Sequence, residues 1–190
     1  MSIGFFVTLG TAIALLLYGI VLYNGLVNLK HSVGKSWSNI DVLLKQRHDE
    51  LPKLVEVCQQ YMNFEKDTLA RVTAARSAVF AASARADVAQ VGAAEATLQR
   101  GLGSLFALAE NYPDLKANET FRHLRGRISE LENALADRRE LYNDTVNLNN
   151  IRVEQFPDLI LARLLSFGPQ PLLEFGLEET RDVDLRTLFH

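Results

Sequence analysis

The chain has 190 residues, enough for one domain and a membrane anchor. Its 20 basic and 23 acidic residues give a formal charge of −3. That balance argues against a dedicated nucleic-acid-binding protein, which normally presents a basic face to phosphates. The hydrophobic fraction of 48% argues against wholesale disorder. With a single cysteine, Cys58, the chain has neither an internal disulfide nor a cysteine-rich zinc site.

The N-terminal segment is apolar and carries no charged side chain before Lys30. At a rise of about 1.5 Å per residue, residues 3–23 are long enough to cross about 30 Å of hydrocarbon. The alternative is a cleaved secretory signal. Against it, no positive region precedes the apolar stretch, the stretch is longer than the usual apolar core of a signal, and no small-x-small pattern follows. The sequence therefore predicts a retained transmembrane anchor over residues 1–23.

The charges that flank the anchor bear on its orientation. Lys30, Lys35, Lys45 and Arg47 follow the apolar segment, whereas only the α-amino group precedes it. Because positive residues favour the cytoplasmic side, we expect the bulk of the protein in the cytoplasm. The segment ahead of the anchor is very short, so the opposite orientation stays open.

Three long helical segments follow from the spacing of apolar residues. The first runs from about Val27 to the mid-eighties, with apolar side chains at alternating three- and four-residue steps and Arg47 in one of the slots. Pro52 lies inside it. Proline removes a backbone donor and clashes with the preceding turn, so we expect a kink or a short break near residues 48–52.

The second segment spans about Val88 to Asn111 and the third about Asn118 to Gln155. The seam of the third segment is apolar as far as Tyr142 and polar beyond it. The sequence thus predicts an all-α protein, in which an N-terminal transmembrane helix continues into an antiparallel bundle of three to four long helices over residues 24–157. A short amphipathic helix over residues 158–168 and an acidic, flexible tail over residues 169–190 complete the chain.

Residues with reactive side chains do not form a recognisable site. Glu119 and His123 are four residues apart on one helical face, but a solvated polar pair explains them better than a metal site, because no Glu-x-x-His pair accompanies them. Cys58 lies on the apolar stripe, where a buried, inert thiol is expected. No glycine-rich phosphate loop follows a strand. We therefore predict no catalytic residue, no cofactor and no metal.

Charged residues cluster around Pro52 and along the third helix. They form either a solvated face stabilised by pairs four residues apart or an interface between protomers. The interface candidates are four polar residues on or near the apolar seams: Arg47, Arg138, Asn149 and Arg152. The charge of each arginine must reach solvent, find a carboxylate or face another chain, and Asn149 belongs to the polar part of the third seam.

The apolar segment at residues 158–167 has two interpretations. It packs over the open end of the bundle, or it lies on the bilayer beside the anchor with its one basic residue near the lipid headgroups. The candidates for the membrane surface are Leu161, Arg163, Leu164 and Leu165.

Four motifs occur in order along the chain: Trp37-x-x-Ile40-Asp41, Leu51-Pro52-x-Leu54, Tyr112-Pro113-x-Leu115-x-Ala117-Asn118 and Tyr142-Asn143. Together with residues 156–167 they resemble the LemA family of bacterial membrane proteins. The resemblance implies an anchored antiparallel bundle in the bacterial inner membrane and no known catalytic activity. It also implies loose ties to envelope stress and to a neighbouring membrane zinc protease, and a magnetosome-associated branch is similar.

The tail departs from the family pattern. Many relatives have Phe-Lys-Pro followed by a phenylalanine-rich acidic stretch, whereas this chain has Gly168 and Pro169 after Phe167. A partner that depends on the tail therefore does not carry over.

Three hypotheses for function follow. The leading one is a membrane scaffold that self-associates, because no flexible linker separates the anchor from the helical pattern that begins at Val33. The second is an adaptor that recruits or regulates another membrane protein, such as a quality-control protease. The third is a ligand-sensing bundle, which requires a cavity among its helices. An enzyme ranks last.

Overall fold

The computed structural model describes residues 3–62 and 64–175. The elements in chain order are α1 (Ile3–Tyr61), α2 (Lys66–Ala84), α3 (Val88–Ala109), α4 (Pro113–Ala117), α5 (Glu119–Glu154) and α6 (Asp158–Leu164). All regular secondary structure within the described residues is helical. The predicted fold class, an apolar N-terminal helix that continues into a helical bundle, is confirmed.

The first predicted segment consists of two helices that meet at a turn. Helix α1 continues through Pro52, so of the kink or short break expected near residues 48–52 the break does not occur. The buried side chains of Leu51 and Leu54 hold that turn of helix in the core, which offsets the proline cost of about 3 kcal/mol. The chain instead leaves the helix after Tyr61 and re-enters it at Lys66. Neither proline nor glycine marks this turn, which is why the hydrophobic spacing concealed it.

Helices α3 and α5 each begin after a residue that caps them. Between α2 and α3, Ala86 has φ of 51° and Asp87 caps α3 by accepting a hydrogen bond from Gln90 N at 3.0 Å. At the start of α5, Asn118 Oδ1 accepts from Phe121 N at 2.9 Å. The predicted extents of the second and third segments agree with α3 and α5 to within two residues at each end and are confirmed.

The described residues divide into two compact units. The core unit comprises residues 40–137 and 173–175, and the anchor unit comprises residues 3–39 and 138–172. Helices α1 and α5 contribute to both units.

In the core unit, α1 and α2 are antiparallel. Ser83 Oγ donates to Asp41 Oδ1 at 2.6 Å, and Arg76 Nε donates to the carbonyl oxygen of His48 at 2.9 Å. Helices α2 and α3 approach closely at Gly101, where an added Cβ would lie 3.3 Å from Val72 Cγ2. The apolar stripes meet in a common core of buried side chains: Ile40, Leu44, Leu54, Cys58, Leu69, Val79, Val91, Leu98, Leu102, Leu105, Phe121, Ile128 and Leu131.

Part of the predicted flexible tail packs against the core unit. Leu173 is buried, and the carbonyl oxygen of Glu174 lies so close to Gly92 that it would overlap a Cβ at this position. The rest of that tail, residues 176–190, lies outside the described residues.

In the anchor unit, the first part of α1 packs antiparallel to the second part of α5. Ser36 Oγ and Thr145 Oγ1 are 3.4 Å apart, and the rings of Trp37 and Tyr142 have centroids 5.7 Å apart. Helix α6 then folds back on this pair. Its side chains join a small apolar cluster of Leu26, Val153, Leu161, Ala162 and Phe167.

Candidate functional site: membrane anchor and interaction surfaces

The first part of α1 has the properties of a transmembrane helix. Within the described residues, α1 is the one helix long and apolar enough to cross a membrane. Its polar side chains there are satisfied locally, because the hydroxyls of Thr8 and Thr11 donate to the carbonyl oxygens of Phe5 and Val7 at 3.0 and 2.9 Å. Local satisfaction matters in hydrocarbon, where no water replaces a missing hydrogen bond. Between residues 3 and 21 the large apolar side chains are exposed: Ile3, Phe5, Phe6, Val7, Leu9, Ile13, Leu15, Leu16, Leu17, Ile20 and Val21.

Helix α6 sits beside the end of this apolar segment. The ring of Tyr23 lies edge-on to Phe167, with centroids 6.2 Å apart, and Lys30 Nζ lies 6.0 Å from the centroid of the same ring. Arg152 Nε donates to Asp158 Oδ1 at 2.6 Å and so pairs the buried carboxylate at the start of α6. These contacts fix α6 to both long helices of the anchor unit.

The segment after α6 is fixed by two asparagines of α5. Asn149 Nδ2 donates to the carbonyl oxygen of Gly168 at 3.3 Å. Asn150 Oδ1 accepts from Gln170 N at 2.8 Å, and Asn150 Nδ2 donates to the carbonyl oxygen of Gln170 at 2.9 Å. The polar seam predicted beyond Tyr142 therefore binds backbone of its own chain.

Helix α6 presents apolar side chains to the outside. Ile160 and Leu164 are 59% and 74% exposed, and Phe156, just before the helix, is 75% exposed. Of the predicted membrane-surface residues, Arg163, Leu164 and Leu165 are exposed, whereas Leu161 packs against the apolar cluster. Sequence reasoning missed Phe156 and Ile160, because a seven-residue helix with apolar residues on every side has no periodicity that selects a face.

A second exposed apolar surface runs along α5 in the anchor unit. Leu141, Leu148 and Ile151 are 50%, 59% and 60% exposed. Their spacing of seven and three residues aligns them on one helical face, away from the buried face that contains Tyr142, Val146 and Val153. We call these three residues the α5 stripe.

The core unit encloses a cluster of charges. The side chains of Arg47 and Glu95 are each 3% exposed and form a short ion pair, and Arg47 Nη1 lies 3.9 Å from Glu132 Oε1. Burial raises the pKa of Glu132; Arg47 opposes this effect and Glu95 adds to it. One guanidinium thus faces two carboxylates.

The four predicted interface residues occupy different environments. Arg47 lies inside the core unit, where it meets carboxylates of its own chain. Asn149 is buried, Arg152 is partly buried and paired, and Arg138 is exposed. Glu95 was missed, although its position is readable: it occupies a slot of the apolar stripe of α3, four residues after Val91, just as Arg47 occupies a slot on α1.

The residues considered for metal binding or catalysis do not form a reactive site within the described residues. Glu119 and His123 are exposed on α5. Within the described residues, no group of three or more His, Cys, Asp or Glu side chains is arranged to hold a metal ion. Cys58 is buried, and burial raises the pKa of its thiol to about 11, so little thiolate is present near neutrality.

A groove of about 670 Å³ lies between the end of α1 and the first half of α2 in the core unit. Its volume is within the range of about 300–1,000 Å³ typical of small-molecule sites. The cavity required by the ligand-sensing hypothesis would correspond to this groove, which is lined by Gln59, Met62, Lys66, Leu69, Ala70, Thr73, Ala74 and Ser77.

These features define the class of protein: a helical bundle with one apolar helix suited to span a membrane. The model of the LemA family matches residues 36–186. The chain belongs to the LemA family, as its motifs indicated, and the family together with the apolar helix indicates a membrane protein.

Three curated relatives extend the comparison. Magnetosome protein MamQ 1 and Magnetosome protein MamQ 2 of Paramagnetospirillum magneticum are each 35% identical over 35% of this chain and 24% of their own length. Magnetosome protein MamQ of Magnetospirillum gryphiswaldense is 21% identical over 76% of this chain and 62% of its own length. The chain thus spans about a quarter of the first two relatives and less than two thirds of the third.

Proposed function

We propose that this protein is a non-enzymatic scaffold of the bacterial inner membrane, with its bulk in the cytoplasm, that self-associates through the α5 stripe. The observation that carries the proposal is the alignment of Leu141, Leu148 and Ile151 on one exposed face. Single exposed apolar residues are ordinary on protein surfaces, but an aligned group supports a contact with another helix. The cytoplasmic orientation rests on Lys30 and Lys35 after the anchor.

A second copy is the partner that membrane anchoring favours. Copies held by the same transmembrane helix share one orientation and one height relative to the bilayer, so their α5 stripes meet at the same level. Confinement to a surface also raises the effective concentration of each copy for the others. Arg138 is exposed on the same stretch of α5 and is available at the margin of such a contact.

The test uses the full-length protein in proteoliposomes, with donor and acceptor dyes on separate preparations. Wild type is expected to show energy transfer that rises with the protein-to-lipid ratio. Added lipid without protein is expected to lower the energy transfer. In Leu148→Glu, association should weaken by at least about tenfold, because a difference of 1.4 kcal/mol is tenfold and an unpaired carboxylate in an apolar contact costs more. The matched control is Ser38→Glu, which adds the same charge at an exposed residue of α1 in the same unit.

Each outcome decides between hypotheses. Wild type that remains monomeric at every protein-to-lipid ratio contradicts self-association. Equal weakening by Leu148→Glu and Ser38→Glu contradicts the role of the α5 stripe. If the wild type is monomeric and instead purifies with another membrane protein that Leu148→Glu releases, the adaptor hypothesis replaces the scaffold.

A further inference from the structure

The level of α6 along the anchor can be deduced from its contacts. Residues 3–23 of α1 span about 31 Å as a helix, which matches the hydrocarbon thickness of about 30 Å. Tyr23, at the end of that span, touches Phe167, and Leu26, one turn further, packs with Ala162 of α6. Helix α6 therefore lies beside the first turns beyond the hydrocarbon, at the level of the lipid headgroups and the upper acyl chains. Tyrosine is enriched at this level in membrane proteins.

The outer face of α6 has the composition of an interfacial helix. Ile160 and Leu164 are one helical turn apart on the same side, and Phe156 is exposed directly before them. The inward face is occupied, because Leu161 and Ala162 join the apolar cluster and Asp158 is bonded to Arg152. The exposed apolar side chains are thus an additional surface that the internal packing of the anchor unit does not use.

The charges nearby favour a lipid surface. Arg163 on α6 and Lys30 on α1 are exposed at this level. Against these two cations stands the exposed carboxylate of Glu154 at the end of α5, while that of Asp158 is buried and paired by Arg152. Basic side chains at the headgroup level attract anionic lipids, and aromatic and aliphatic side chains enter the boundary between headgroups and acyl chains.

We infer that α6 is a second membrane contact, with Phe156, Ile160 and Leu164 inserted into the interfacial layer of the same bilayer that α1 crosses. The occupant of this face is lipid, because the face is continuous with the anchor and lies at its boundary. The inference is independent of self-association, since it concerns a single copy. Its consequence is a two-point attachment, in which the end of α5 is held at the bilayer as well as the transmembrane helix.

Site-specific tryptophan fluorescence tests this contact in the full-length protein. The chain has one tryptophan, Trp37, so Trp37→Phe removes the background and Ile160→Trp places a probe on the outer face of α6. The protein is inserted at one copy per nanodisc, in phosphatidylcholine and phosphatidylglycerol with bromine on the upper acyl chain. The matched control is Asn147→Trp in the same background, on α5 near the level of the Ser36–Thr145 contact. That level is about 20 Å beyond Tyr23 along α1.

The expected result is a blue-shifted emission from the probe at residue 160 that brominated lipid quenches and aqueous iodide does not. The probe at residue 147 should show the reverse. Adding Leu164→Glu to the Ile160→Trp protein should abolish the lipid quenching while far-UV circular dichroism keeps its helical signal.

Two results would overturn the inference. A probe at residue 160 that iodide quenches and brominated lipid does not would place α6 in water. A probe that neither agent quenches would mean that protein covers this face, and at one copy per nanodisc that cover would be another segment of the same chain.

Discussion

The two units differ in their most unusual residues, although the anchor unit also buries one carboxylate, Asp158, against the half-exposed Arg152. The core unit buries charge: Arg47, Glu95 and Glu132 lie together among apolar side chains. The anchor unit exposes apolar groups on α5 and α6 that its own packing leaves uncovered, among them Leu148 and Leu164. A buried charge cluster affects the stability of a single chain, whereas an exposed apolar face is available to lipid or to another protein. Partners and lipid are therefore to be sought at the anchor unit, and determinants of stability at the core unit.

The largest expected effect comes from breaking the charge cluster of the core unit. Arg47→Met leaves two carboxylates without their cation, and removal of one partner from a buried ion pair costs about 3–5 kcal/mol. The free energy of unfolding in detergent, measured by denaturant titration with far-UV circular dichroism, should fall by this amount. Arg163→Met, at an exposed position of the anchor unit, should change it by less than about 0.5 kcal/mol.

A double variant sharpens this measurement. Arg47→Met combined with Glu95→Leu removes both members of the buried pair, and apolar replacement of such a pair is often neutral or stabilising. We expect the double variant to regain most of the lost stability, with Glu132 turning its partly exposed carboxylate to water. If Arg47→Met alone is as stable as wild type, Arg47 is not confined to the interior and its interface role returns.

The features that could be predicted from the sequence are those that depend on local or periodic patterns of residues. The anchor was predicted from the length of its apolar run. Helix α3 was predicted from an apolar seam that ends at Pro113, and α5 from a seam that begins at Asn118. The turn after Tyr61 was missed because it has no glycine or proline, whereas Pro52 suggested a break that the helix does not have. Burial of the side chains around Pro52 outweighed the local cost of proline, and such burial depends on helices distant in sequence.

The candidate surfaces were predictable only in part. Arg47 was identified as a charge on an apolar seam, but its partner Glu95 lies 48 residues away and is brought to it by tertiary packing. Similarly, the sequence marked the α6 segment as a membrane candidate, but contacts with Leu26 and Val153 decide that Leu161 faces inward and Ile160 outward. Side-chain direction in a short helix is a property of the whole unit.

A smaller effect is expected where the C-terminal segment crosses α3 in the core unit. In Gly92→Ala the new Cβ overlaps the carbonyl oxygen of Glu174, a backbone atom that cannot move alone. We expect a loss of about 1–3 kcal/mol, typical of overpacking, and faster proteolysis near Leu173. Gly103→Ala on the same helix is the matched control: its Cβ has nothing within 4 Å, so alanine should stabilise by about 0.5–1 kcal/mol. Equal effects of the two changes would show that the segment does not pack on α3.

The smallest effect is a pH dependence of the core unit that originates at His48. Its ring is stacked on Phe80 at 4.4 Å, and Arg76 Nη2 lies 2.7 Å from its Nε2. Burial and the Arg76 charge lower the pKa of His48 below its usual 6.5, partly opposed by Asp49. The stabilisation that the neutral ring provides is therefore complete above pH 6.5 and is lost as pH falls through the lower pKa of the folded state.

His48→Gln isolates this contribution, because glutamine can still accept a hydrogen bond from Arg76 but does not titrate. Glu132 acts in the opposite sense: its raised pKa gives stability that is present below pH 4.5 and is lost as pH rises. It is common to both proteins, so it cancels in the difference between their free energies of unfolding. As pH is lowered from neutrality, the wild type should lose stability relative to His48→Gln; parallel curves would show that the ring remains neutral or reaches solvent when it is protonated. A difference in slope would show that His48 contributes to the pH dependence of the core unit.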